Sequence, residues 1–235
     1  MSNFRYTRPE AFPPVVKNLI IINILFYVAQ MIYDKDGSLT QLLALHPIES
    51  PYFRIYQVVT HMFVHAHDFM HILFNMLSLW MFGRVIETYV GSKKFLTLYI
   101  ISGLSAAALH LGIQYFVYDF DALWAQAVQY DPETQIDQIR SILGPVAPAV
   151  GASGAVMGVL VVFGYLFPNT ELMLLFFPVP IKAKYFIPGL VAIDLFGGIY
   201  RVPGDNIAHW AHLGGAVAGF IIVLYWNKTN RNTLY

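Results

Sequence analysis

Cysteine is missing from these 235 residues, and charged side chains make up only 12% of them. Without cysteine there is no disulfide framework and no thiolate metal site, and nothing in the chain reports a redox compartment. Lys and Arg number 14, Asp and Glu also 14, so the formal net charge is zero and no basic surface argues for a nucleic-acid partner. No repeat or low-complexity tract is present, and the chain reads as one domain. Residues 1–14 are polar and carry no n-region followed by a short apolar run, so no cleavable signal peptide is expected there. The first apolar segment is then the insertion signal. What the chain has in abundance is apolar surface: 57% of residues are hydrophobic and the mean hydropathy is +0.56, outside the range of soluble domains. This is the composition of an integral membrane protein.

Six segments have the roughly 20-residue length needed to cross a bilayer: Val15 to Tyr33, Phe69 to Val90, Phe95 to Val117, Ala149 to Phe167, Phe177 to Tyr200 and Ile207 to Trp226. The fold class expected is therefore all-α, a polytopic six-helix bundle. Residues 15–226 form its membrane core, between a cytoplasmic N-terminal segment 1–14 and a cytoplasmic C-terminal tail 227–235. The fifth span is the weakest. Pro178, Pro180, Lys182 and Lys184 crowd its start and Pro188-Gly189 interrupt it, so the helix itself is expected to begin near Lys184. With the N-terminus inside, 10 of the 14 basic residues fall on inner segments (Arg5, Arg8, Lys17, Arg84, Lys93, Lys94, Lys182, Lys184, Lys228 and Arg231) and four outside. That bias places both termini in the cytoplasm.

Two outer loops are long, 34–68 and 118–148. The first mixes leucines, prolines and tyrosines with few charges and suits a segment lying in the interface. The second is acidic, and Ile136, Ile139, Ile142 and Leu143 draw a helical stripe within it.

Polar residues inside the spans fall in one layer. Taking Asp68, Pro148 and Asp205 as the outer ends of the second, fourth and sixth helices, Asn75 and His212 lie about 10 Å in and Ser153 about 7 Å in, by helical rise. His71 shares a face with Asn75, one turn nearer the surface. Such groups are costly in hydrocarbon and must face one another or a wet cavity. Small residues let them meet: Gly151, Gly154, Ala155 and Gly158 on the fourth helix, and Gly214, Gly215, Ala218 and Gly219 on the sixth.

Those residue types support nucleophilic chemistry. An imidazole, His212, can take the proton of the Ser153 hydroxyl as it attacks a carbonyl and return it to the leaving amine. Gly151 and Gly154 leave room for the carbonyl to approach. His71, the Asn75 amide and the backbone N–H of Ser153 are candidate donors to the oxyanion. No acidic residue clearly orients His212, so a two-residue dyad is the simpler arrangement. His209, three residues before His212 on the same face, competes for the role of base.

Three motifs in order, His71-Ile72-Leu73-Phe74-Asn75, Gly151-Ala152-Ser153-Gly154 and Ala211-His212-Leu213-Gly214-Gly215 with Gly219, resemble those of the rhomboid intramembrane serine proteases across nearly the whole chain. The resemblance implies Ser153 as nucleophile, His212 as general base, and His71, Asn75 and Gly151 at the oxyanion and substrate site. It also implies single-span membrane proteins as substrates, a helix entering laterally from the bilayer and no cofactor. Two positions depart from the family pattern. Met157 stands where many members carry an aromatic ring packed on the catalytic imidazole, and a thioether there is expected to tune activity. Tyr56-Gln57 stand where many carry a Trp-Arg pair.

Other readings compete. His61 and His65, four apart, would share one helical face as in many zinc sites, but no His-Glu-x-x-His pattern accompanies them, so packing is expected and no metal. Asp194 is ionisable within an apolar span; a structural pairing is expected for it, with no support for a catalytic role beyond its depth. A catalytically silent, client-binding relative and a small histidine-dependent transporter are the alternatives to a protease. The expected location is the plasma (cell inner) membrane. Oligomeric state is left open.

Overall fold

A computed structural model describes residues 9–132, 134–174, 177–200 and 208–229. Helix α1, Pro14–Tyr33, begins at a proline, which costs nothing at a first turn whose N–H groups have no helical partner. Its free N–H groups at Val15 and Val16 donate instead to the buried Glu87 carboxylate, at 2.9 and 2.8 Å. An acid that the sequence does not single out thus ties the start of α1 to the end of the second span, on the side opposite the site.

The first outer loop carries two short helices, α2 (Ser38–Leu43) and α3 (Gln57–Thr60). Its order comes from buried polar side chains. Gln57 is fully buried; its amide donates to the Leu42 and Tyr52 carbonyls, and its oxygen accepts from the Arg54 and His46 N–H groups. Gln30, at the end of α1, donates to the His65 carbonyl and accepts from the His65 N–H. Position 57, a departure from the family pattern, is therefore the hub of this loop.

Helix α4, Phe69–Ser78, is capped by the Asp68 side chain, which accepts from the Met70 N–H at 3.0 Å. It runs through a π segment, Leu79–Gly83, into α5, Arg84–Val90, and together they make a span of 22 residues. Helix α6, Ser92–Val117, follows at once, because Gly91 takes the positive φ of 87° that reverses the chain. The second outer loop holds α7 (Phe120–Ala127) and α8 (Ile136–Leu143), so the helical stripe does form a helix.

Helix α9, Ser153–Leu166, starts later than the sequence suggests and has only 14 residues. Ala149 is held in a two-way backbone bridge with Leu45, and the Gly151 N–H donates to the His61 carbonyl at 2.8 Å. These pairings hold the chain out of the helix until Ser153. The fourth span is thus the shortest apolar helix, and five other helices among the described residues are long enough to cross a bilayer. Multi-pass membrane architecture stands.

The expected start of the fifth span is a two-stranded antiparallel sheet, β1 (Glu171–Leu174) with β2 (Phe177–Lys182). Pro178 and Pro180 lie in β2, where helix is denied. Helix α10, Ala183–Tyr200, then begins within one residue of Lys184 despite Pro188. Helix α11, His209–Thr229, completes the described chain. The expected outer end of the sixth span, at Asp205 and Ile207, falls outside the described residues.

The core lies where α9 is wrapped by α4, α5, α6, α10 and α11, with Leu79, Phe95, Tyr99, Val159, Val162 and Val223 fully buried or nearly so. Against α11 the contact is backbone on backbone. A Cβ on Gly215 would overlap the Gly154 carbonyl, and one on Gly219 would overlap that of Gly158.

Candidate active site

Ser153 is the first residue of α9, so it sits in the first helical turn and not about 7 Å along it. Its own N–H is one of the groups a helix N-terminus leaves without an intrahelical acceptor. On α11, His212 faces it. The Ser153 hydroxyl and His212 Nε2 are 2.8 Å apart, an association the glycine contact between α9 and α11 permits.

The other ring nitrogen of His212 meets a carboxylate. His212 Nδ1 donates to Asp194 Oδ1 at 2.9 Å, and His209 Nδ1 donates to the same oxygen at 2.8 Å. This corrects the expectation that no acid orients His212. Sequence spacing does not reveal it, since Asp194 and His212 are 18 residues apart on different helices; the one available signal was an ionisable residue in an apolar span. An ionised carboxylate only accepts, so both imidazoles carry their proton on Nδ1. His212 then presents a lone pair at Nε2, toward Ser153. His209 is turned the other way, its ring pressed against α10, where a Cβ at Gly197 would collide with it.

His71 closes the site from α4. Its Nδ1 accepts from the Ala66 N–H at 3.1 Å, so in the neutral ring the proton is on Nε2. That N–H lies over Gly151. A Cβ built on Gly151 would stand 2.9 Å from His71 Nε2 and 3.8 Å from Ser153 Oγ, which marks a small space between a donor and the hydroxyl. Gly151 also has φ of 117°, a conformation that L side chains rarely adopt. Backbone and space both call for glycine here.

Asn75 is buried in the same layer, but its amide nitrogen donates to the His71 carbonyl at 2.8 Å. One of its two N–H groups is thereby spent, and one is left for a ligand. Met157 is buried in the core on α9. His61 and His65 do not share a helical face, because α3 stops at Thr60. His61 Nδ1 bonds to the Gln57 carbonyl at 2.8 Å, and the His65 ring packs edge-on against His71. Among the described residues no cluster is placed to hold a metal ion.

A serine hydrogen-bonded to an imidazole, that imidazole held by a carboxylate, and convergent N–H donors beside the serine make an arrangement able to carry out acyl transfer. The family model of the Rhomboid domain matches residues 52–228. This chain belongs to the rhomboid family. The rhomboid is 32% identical over 161 residues to Rhomboid protein 1, mitochondrial, of Saccharomyces cerevisiae, covering 68% of this chain and 39% of that protein. With RHOMBOID-like protein 12, mitochondrial, of Arabidopsis thaliana it shares 28% identity over 211 residues, 88% of this chain and 56% of the relative. With Rhomboid protease GlpG of Yersinia pestis it shares 24% over 220 residues, 92% of this chain and 64% of the relative. This rhomboid thus spans less than two thirds of the length of each of these relatives.

Proposed function

We propose that this rhomboid is an intramembrane serine endopeptidase that cleaves single-span membrane proteins in or near the outer end of their transmembrane helix. The observation that carries the proposal is the 2.8 Å hydrogen bond between Ser153 Oγ and His212 Nε2. Ser153 attacks the scissile carbonyl while its proton passes to His212 Nε2. The Oγ–C bond forms, the tetrahedral oxyanion is met by His71 Nε2–H, the Ser153 N–H and the remaining Asn75 N–H, and Gly151 leaves it room. Collapse breaks the C–N bond, and the proton on Nε2 goes to the leaving amine. Water from the outer side then hydrolyses the acyl-enzyme by the same exchange. No cofactor takes part.

A substrate helix hides its carbonyls, so small or helix-destabilising residues at the cut are favoured. The substrate helix enters laterally past α10, and an apolar cleft of about 510 Å³, lined by Gly164, Ile187, Ala216 and Phe220, lies along α9, α10 and α11 at the end away from Ser153. The start of α1 and the end of α11 lie on the side opposite the site, which is the cytoplasmic side when the membrane is the plasma membrane. A mitochondrial membrane, which the names of two relatives carry, is the other placement. Fractionation of the native cell separates the two.

The test is cleavage of a model single-span substrate in liposomes, with fluorophosphonate labelling. Wild type cleaves and labels, and Ser153→Ala does neither. A wild type that binds such substrates yet neither labels nor cleaves them would establish the client-binding alternative instead.

A further inference from the structure

We propose that Asp194 is a positioning residue that acts through His212, with His209 as its buttress; this rests on the reading of Ser153 and His212 as nucleophile and base. Three observations carry it. Asp194 Oδ1 accepts from both imidazoles, at 2.8 and 2.9 Å, and the second of these rings is the one that meets Ser153. Asp194 is 6% exposed and lies in the apolar helix α10, where a carboxylate is retained only if its surroundings compensate it. His209 is 7% exposed, and Gly197, one turn along α10 from Asp194, leaves the space its ring fills.

The consequence is a fixed tautomer. A neutral imidazole can carry its proton on either nitrogen, and only the Nδ1–H form of His212 has a lone pair at Nε2 for the Ser153 proton. The Asp194 carboxylate selects that form by accepting the Nδ1–H. When Ser153 gives up its proton, His212 becomes an imidazolium with an N–H on each nitrogen, and the carboxylate lies against the new positive charge. No proton moves to Asp194. His209 donates to the same oxygen and so holds the carboxylate between two rings. Its Nδ1 is committed to Asp194 and its ring is packed on α10, so it secures the carboxylate and does not serve Ser153.

Because Asp194 is on α10 while His212 is on α11, alignment of the base depends on where α10 sits. A displacement of α10 by a few ångströms would break the 2.9 Å contact and release the ring.

The experiment uses the full chain and two readouts, one of them independent of activity. Asp194→Leu removes the acceptor but keeps the branched heavy-atom skeleton and places an apolar side chain in an apolar helix, while Asp194→Asn keeps an oxygen that accepts but loses the charge. Imidazole ¹⁵N NMR at about pH 8, where a histidine of ordinary pKa is neutral, reports the His212 tautomer. Wild type and Ser153→Ala are expected to show Nδ1–H, and Asp194→Leu is expected to show loss of that form. In parallel, kcat of Asp194→Leu falls on the order of 100-fold or more with KM changed less than about threefold, and Asp194→Asn is intermediate. An Asp194→Leu protein with the His212 tautomer and kcat of wild type overturns the proposal. If that variant does not fold, a wild-type kcat in Asp194→Asn overturns it as well, because the negative charge that lies against the His212 imidazolium is then dispensable. Failure of the protease reading looks different: wild type would not cleave, and the tautomer would still respond to Asp194→Leu.

Discussion

At the scale of single residues, His61 and His65 lie behind the site and are made weak bases by their surroundings. Burial pushes each pKa from 6.5 down to about 4, and for His65 the neighbouring His71 adds to the effect. Their protonation therefore opposes folding. Between those two values the unfolded chain binds protons that the folded chain refuses, so stability rises with pH there. Thermal unfolding in detergent is expected to be constant above about pH 7, to fall as pH drops from 6.5 toward 4, and to level off below. His65→Gln should lower that slope without abolishing it, since His61, and His46, whose pKa burial also lowers, share it. An unchanged slope would mean that other groups carry the pH dependence. The same burial keeps His61 neutral, which suits its use as a rigid spacer: its ring is fixed by Gln57, and its carbonyl holds Gly151.

At the scale of elements, the site depends on how closely α9 and α11 approach. Gly154 and Gly158 meet Gly215 and Gly219 backbone to backbone, and this brings Ser153 and His212 within a hydrogen bond. Gly215→Val must push the helices apart at the Gly154 carbonyl. Its expected cost is roughly 1–3 kcal/mol of stability, and Ser153 labelling by a fluorophosphonate should be lost with it. Gly112 on α6 is the control. A Cβ there meets nothing within 4 Å, so Gly112→Ala should leave labelling at the wild-type level and not lower the melting temperature. Equal loss in both variants would show that the sensitivity is not to the α9 and α11 contact. The neighbouring hairpin and the late start of α9 are element-level features of the same kind. Each is a stretch of apolar sequence that proline or loop pairing keeps out of a helix.

At the scale of the whole molecule, the helices alternate direction, so the loop with α2 and α3, the loop with α7 and α8, and the first turn of α9 share one side. The turn at Gly91 and the hairpin of β1 and β2 lie on the other. The natural absence of cysteine makes this easy to check. Single cysteines at the exposed positions Glu49 and Gln126 should react with a membrane-impermeant thiol reagent from one face of sealed vesicles. Cysteines at Lys93 and Asn169, also exposed, should react only from the opposite face. Labelling of Glu49→Cys and Lys93→Cys from one and the same face would overturn the topology.

Much of this was determined by the sequence alone. Apolar runs of spanning length fix a helical membrane bundle, because backbone groups in hydrocarbon must be satisfied within the segment. The polar residues His71, Asn75, Ser153 and His212, all toward the outer ends of apolar segments, mark the candidate site, because polar side chains in that medium must find one another. Periodicity likewise finds α8, and the prolines find the delayed start of α10. Tertiary structure decided what spacing along one chain does not encode. It set Ser153 at a helix N-terminus through Leu45 and His61, both more than 90 residues away in sequence. It made Gln57 a loop hub. It also brought Asp194 from α10 to His212 on α11, and it aimed His212, not His209, at the serine. Side-chain periodicity tells which face of a helix is polar, but which polar groups meet depends on the rotation and separation of neighbouring helices. Those are set by packing, above all by the glycine contact between α9 and α11.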